Sequence, residues 1–243
     1  MATLGTYGLT ALGTVPVLFF RSAPRALMDS LMGFAAGVMV AASCWSLLIP
    51  AIDIGGLAPA VTGLLGGAAF VYVVDQLLPH LHGEFPEEAR AEGPQVAWRQ
   101  STLLMLAMTL HNFPEGMAVG VTFGGGDLGS AIALAVGIGL QNIPEGLAIA
   151  LPLRRGGMGR GRAFFWGQLS ATVDPIGGVV GAALVLASGA FLPYGMAAAA
   201  GAMLYVVVEE LLPETVRSGT PDLATLGFIL GFAVMMTLDN ALG

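Results

Sequence analysis

Two near-copies of one six-residue motif, His-Asn-Phe-Pro-Glu-Gly from His111 to Gly116 and Gln-Asn-Ile-Pro-Glu-Gly from Gln141 to Gly146, lie thirty residues apart, each in the middle of a long apolar run. A charge near a bilayer centre costs roughly 2.5 to 3.5 kcal/mol on insertion scales, and ionisable side chains retained there mark ion pathways or pair with one another. Residues four apart share one face of an α-helix, so His111 projects with Glu115, and Gln141 with Glu145. Asn112 and Asn142 stand three residues before the same glutamates and can lend an amide oxygen from the edge of that face. Imidazole nitrogen with carboxylate oxygen suits divalent zinc, iron, manganese or nickel, whereas magnesium prefers oxygen and water alone. The motif therefore predicts an intramembrane metal site.

The prolines add a second kind of donor. Pro114 and Pro144 have no backbone N–H, and each ring crowds the carbonyl four residues back, so Leu110 and Leu140 are expected to present freed carbonyls at a kink. Such carbonyls are tolerated only in a water-filled cavity or within protein, which places both around a shared polar space. Asp174-Pro175 repeats the logic with one carboxylate and the carbonyl of Ala171. Three helices then supply three carboxylates.

These side chains need a membrane scaffold, and the composition provides one: 56% of the chain is hydrophobic and only 10% is charged. Runs long enough to cross a bilayer, at about 20 residues, fall near 4–20, 28–50, 56–79, 100–123, 128–151, 163–187, 190–213 and 222–242. The expected fold is all-α, eight transmembrane helices in a single polytopic domain over residues 1–243, with a polar loop at about 80–98. The alternative for the first run, a signal peptide, lacks the basic start such peptides carry. All nine basic side chains other than histidine are arginines, and they follow spans one, three, five and seven. By the positive-inside rule that side is cytoplasmic and both termini are outside.

Spans four and five run in opposite directions, so their matching motifs are related by a pseudo-two-fold axis in the membrane plane, a recurring plan of secondary transporters. Gly-x-x-x-Gly spacing occurs at Gly33/Gly37, Gly63/Gly67, Gly116/Gly120, Gly177/Gly181 and Gly227/Gly231. With 36 glycines some pairs arise by chance, so the spacing is read only as close helix packing. The single Cys44 excludes an internal disulfide and a Cys-rich zinc cluster, and reads as a small buried apolar residue.

The paired motif within eight spans resembles the ZIP (Zrt/Irt-like) divalent-metal transporters, closest to the bacterial GufA-type branch, with a weaker signal in Gly37-Val38-Met39-Val40-Ala41-Ala42-Ser43. The resemblance implies zinc-type substrates (Zn2+, or Cd2+, Fe2+ or Mn2+), import into the cytoplasm across the cell (inner) membrane, a homodimer, and a transport bundle moving against a more static one. It also implies a main site of His111, Glu115, Gln141 and Glu145 with Met39 and Asp174. An adjoining site of Asn112 and Asn142 would share Glu115, Glu145 and Asp174. Three positions depart from relatives: Gln141 where some have histidine, and Asn142 and Asp174 where GufA-type chains can have aspartate and glutamate. Two divalent ions bring +4 against -3 from the shared carboxylates, whereas one leaves -1, so one ion is expected to be well held and a second weakly. Met39 on an apolar helix is otherwise a packing residue.

Asp75, Glu209 and Glu210 lie toward the cytoplasmic ends of spans three and seven and read as an exit path, extended by His80 and His82 in the loop, where with Glu84 they form a transient receiver or metal sensor or else ordinary loop polarity. Val73–Pro79 and Val207–Pro213 share a phrase and a direction. Asp53, Asp127 and Asp239 fall near the outer ends, where solvated helix-end charge is the better reading. Metal binding needs neutral His111 and ionised carboxylates, so it displaces protons and weakens in acid. No Gly-rich phosphate loop with a following lysine occurs, and no lysine at all, so neither nucleotide-driven transport nor nucleic acid is expected. No resident cofactor is expected. A passive divalent-cation channel remains the nearest alternative. A membrane-embedded metalloenzyme is the next, without its usual His-Glu-x-x-His pair.

Overall fold

A computed structural model of the chain describes residues 1–77, 80–82, 90–92, 100–217 and 220–243, with the backbone alone at 80–82, 90–92, 100–104, 214, 216 and 217. The described residues form eight helical rods. These are α1 (Ala2–Thr14, prolonged by a 3-10 turn Val15–Leu18), α2 (Arg25–Gly55), α3 (Leu57–Leu77), α4 (Gln100–Gly125), α5 (Leu128–Arg155), α6 (Arg160–Ala187), α7 (Gly189–Leu211, prolonged by Leu212–Arg217) and α8 (Pro221–Leu242). Six of them, α2, α3, α5, α6, α7 and α8, are long and apolar enough to cross a membrane. Gly56, Gly126 and Gly157, at φ 80°, 88° and 89°, adopt the left-handed backbone in the turns after α2, α4 and α5. Gly56 is the single residue between α2 and α3, a reversal that a Cβ would strain.

The rods pair off through close backbone contacts. α2 packs on α8, α4 on α6, α3 on α7 and α1 on α5. A Cβ added at Gly33 or Gly37 of α2 would collide with the backbone of Ala224 or Phe228 in α8, and one at Gly227 or Gly231 with Ser30 or Phe34 in return. Gly116 and Gly120 meet Asp174 and Gly178 across the α4–α6 contact, where Gly177 and Gly181 meet Phe113 and Met117. Gly63 and Gly67 meet Tyr194 and Ala198 between α3 and α7. All five Gly-x-x-x-Gly pairs thus lie at helix–helix contacts. Absent side chains let the backbones approach, and packing replaces the hydrophobic drive that lipid does not supply.

The pairing is symmetric. Exchanging α1 with α6, α2 with α7, α3 with α8 and α4 with α5 turns each of the four contacts into another of the four. Every exchange swaps an odd-numbered rod for an even one, so in an up-and-down bundle the two halves are inverted. The repeat first legible in the motifs of α4 and α5 extends over all eight rods. The exchanged rods α2 and α7 also both loosen into π-helix, at Ala42–Leu48 and Val207–Leu211.

Four local features add to the sequence-based expectation or differ from it. Helical turns continue unbroken through Pro114 and Pro144, so these prolines remove hydrogen bonds without interrupting either rod. In α6 the regular helix is interrupted instead at a 3-10 turn, Ser170–Thr172, and restarts at Val173 with Asp174 and Pro175 in its first turn, where a missing N–H costs nothing. The polar loop contains a short antiparallel pairing of β1 (His80–His82) and β2 (Arg90–Glu92), with His80 opposite Glu92, a departure from an all-α chain. Cys44, in the π segment of α2, is half-buried rather than core.

Large apolar side chains point outward, among them Leu57, Leu65, Phe70, Val179, Leu186, Leu226 and Ile229, each more than half exposed. The interior holds the polar groups, since Asp75, His111, Asn112, Glu115, Gln141, Asn142, Glu145 and Asp174 are all 5% exposed or less. An apolar surface around a polar core requires lipid as its solvent.

Candidate metal centre

α4, α5 and α6 bring the motif residues together. The side-chain nitrogen of Gln141 (α5) donates to Glu115 Oε1 (α4) at 2.8 Å. The side-chain nitrogen of Asn142 (α5) donates to Asp174 Oδ2 (α6) at 3.2 Å. The carboxylates of Glu115, Glu145 and Asp174 lie within Coulomb range of one another, and among the described residues none is paired with an arginine. The close α4–α6 contact at Gly116 sets this geometry, because the backbone of Asp174 occupies the space a Cβ at residue 116 would fill.

The amide bonds tie down one atom of each partner and leave another. Asn112 Oδ1, Glu115 Oε2, Gln141 Oε1, Asn142 Oδ1, Glu145 Oε2 and Asp174 Oδ1 are buried and without a hydrogen-bond partner. An unsatisfied buried polar atom costs about 1–3 kcal/mol, more when charged, and six such oxygens on the motif residues are donors that a cation could satisfy. Among the described residues no three His, Cys, Asp or Glu side chains are grouped to hold a metal by themselves. The donor set is mixed, with carboxamides interleaved between carboxylates, and that is where the unpartnered oxygens lie.

The remaining expected residues fall in three places. Met39 is buried in the apolar core of α2, which packs against α5. Glu210 stands against the centre, since its carboxylate pairs with His111 Nε2. It had been read from sequence only as part of an exit path. Asp75 is 2% exposed, and Glu209 is exposed beside Glu210 in the π segment of α7. The side chains of His80 and His82, and Glu84 altogether, lie outside the described residues. At the outer ends Asp127 caps α5, accepting from Gly129 N–H at 3.1 Å and Ser130 Oγ at 2.6 Å, which is the helix-end role expected. Asp239 accepts from Ser46 Oγ at 2.7 Å, and Asp53 is exposed.

The profile of the Zip family, described as ZIP Zinc transporter, matches residues 86–239, a stretch that contains the whole His111–Asp174 cluster. Zinc transporter GufA of Myxococcus xanthus is 39% identical to the chain over 96% of it and 94% of its own length. The chain belongs to the ZIP zinc transporter family. Other ZIP relatives agree along the full chain. Human zinc transporter ZIP11 is 39% identical, with 100% of this chain and 96% of its own covered, and zinc transporter ZIPB of Bordetella bronchiseptica is 41% identical, with 98% and 79% covered. A ZIP chain is a multi-pass membrane protein of a transporter family and not an enzyme.

α1 adds a residue to the cluster that no sequence motif marks. Thr6 of α1 donates from Oγ1 to Asp174 Oδ2 at 3.3 Å, and its carbonyl accepts from Asn142 at 3.4 Å. Its only signal was a polar residue in an apolar run, four before Thr10.

Proposed function

We propose that this chain carries zinc-type divalent ions across the membrane into the cytoplasm by alternating access, with His111, Asn112, Glu115, Gln141, Asn142, Glu145 and Asp174 holding the cargo at the middle of the bundle. The observation that supports this most is the set of unpartnered buried oxygens on the motif residues, with three carboxylates that no arginine among the described residues neutralises. Buried charge persists where it coordinates metal or is paired, and a divalent ion would satisfy both charge and valence there. The relatives named above carry zinc in their descriptions.

One ion against three carboxylates leaves -1 and two leave +1, so one ion is held well and a second weakly. Met39 supplies a thioether from α2, favouring cadmium and zinc over manganese. The arginine pattern puts both termini outside, and Asp75 with Glu209, and beyond them His80 and His82, marks the way out to the cytoplasm. The working form is a homodimer, as the resemblance implies.

Uptake of radioactive zinc into proteoliposomes tests the reading, with a Glu115→Ala/Glu145→Ala variant of normal folding alongside. The expected result is saturable uptake that the double variant loses. Equal flux through both proteins would make the motif structural, and flux that does not saturate would make the protein a channel.

A further inference from the structure

We infer that Thr6 on α1 is a positioning residue of the metal centre, aiming Asp174 and Asn142 so that the second, weaker ion can be held. The inference rests on the proposed function above. α1 buries a stripe of threonines, Thr6, Thr10 and Thr14, at 2%, 1% and 0% exposure, four residues apart and therefore on one face. Two of them do what buried threonines in helices commonly do and donate to their own backbone, Thr10 to the Thr6 carbonyl at 3.3 Å and Thr14 to the Ala11 carbonyl at 2.7 Å.

Thr6 differs. Its one hydroxyl proton has two acceptors within reach, the Thr3 carbonyl at 3.1 Å and Asp174 Oδ2 at 3.3 Å. Alone among the three threonines its hydroxyl reaches a side chain of the centre, and that bond is the stronger of the two whenever the carboxylate is charged. The Thr6 carbonyl meanwhile accepts from the Asn142 side-chain nitrogen, which also donates to Asp174 Oδ2. The three residues close a triangle across α1, α5 and α6.

The triangle has a directional result. Two donors converge on Oδ2, whereas Oδ1 of Asp174 and Oδ1 of Asn142 are buried and unpartnered. Asp174 can offer the ion one oxygen without breaking the triangle, and that oxygen is already fixed. The other half of the centre, Gln141 with Glu115, is held by a single amide bond and includes no residue of α1. Removing the Thr6 hydroxyl should therefore weaken one half and spare the other, which a packing defect in α1 would not do.

Zinc titration of the purified full-length protein by calorimetry tests this in Thr6→Val, Thr6→Ser and Thr14→Val. The wild type is expected to bind in a strong and a weak step. Thr6→Val, which keeps volume and carbonyl, should raise the weak Kd by at least about tenfold, the lower end of what the loss of an outer-sphere partner costs, with the strong step, to which Asp174 is one ligand among several, changed by much less. Thr6→Ser should restore the weak step, and Thr14→Val should match the wild type. A Thr6→Val protein with an unchanged weak step, or with both steps weakened alike, overturns the inference. So does Thr6→Ser as poor as Thr6→Val, or a wild type with a single step. A wild type that binds no zinc overturns the proposed function itself.

Discussion

Among the described residues two of the three carboxylates of the centre are held by amides and none by an arginine, and the difference is chemical. An arginine would neutralise a carboxylate and compete with a cation for it, whereas Gln141 and Asn142 fix Glu115 and Asp174 through neutral donors that would leave their charge for the proposed cargo. A carboxylate at the protein's rim is used differently. Asp127 is exposed, and the Ser130 hydroxyl, helped by the backbone N–H groups of Gly129 and Ser130, holds its carboxyl below the ordinary 3.8. Its folded value is depressed, so its contribution is fully present above that ordinary value and is lost as pH falls through the lower folded one. Asp127→Ala should therefore destabilise the protein by about 1 kcal/mol at neutral pH, the usual worth of an N-cap. Asp127→Asn, which caps without titrating, should cost only a few tenths and lose this acid sensitivity; unfolding followed at pH 7 and pH 3 measures both. The motif residues were legible because their types are costly in an apolar run. Thr6 was not, since a threonine hydroxyl satisfies itself on its own helix in most settings. Glu210 was legible as an intramembrane acid, but its pairing with His111 depends on how α7 lies beside α4, which no local pattern encodes.

Helix contacts built on absent side chains put a sharp condition on neighbouring positions. Gly67 faces the backbone of Ala198 in α7, while a Cβ at Gly66 would meet nothing within 4 Å. Gly67→Ala should lower stability by about 1–3 kcal/mol, as overpacking does. Gly66→Ala should raise it by about 0.5–1 kcal/mol through helix propensity, and thermal unfolding in detergent separates them. Equal Tm values would mean that the α3–α7 contact is looser than its geometry. The rods were readable in advance as apolar runs, and they extend past them, α2 to Arg25–Gly55 against an expected 28–50 and α5 to Arg155 against 151. Hydropathy registers only the part of a helix that lies in hydrocarbon. The π segments of α2 and α7 and the 3-10 turn before Asp174 were not readable, because a shifted hydrogen-bond register leaves no mark in composition.

The four close pairings sort the eight rods into two sets of four. α1, α4, α5 and α6 carry the hydrogen-bonded cluster of Thr6, Glu115, Gln141, Asn142 and Asp174, while α2, α3, α7 and α8 pair among themselves as α2–α8 and α3–α7. The proposed orientation makes a direct demand on the turns. In a Cys44→Ala background, a cysteine replacing Ser188 after α6 should react with a membrane-impermeant maleimide from outside, and one replacing Gly159 before α6 only from inside. The reverse pattern would invert the direction of transport. Between the two sets, the ion pair of His111 on α4 with Glu210 on α7 spans the divide. On the proposed function, cargo taken through Nε2 would have to displace the Glu210 carboxylate from it. Loading would then be a substitution rather than the filling of a hole. Capture of the ion would at the same moment cut a tie between the two sets of rods.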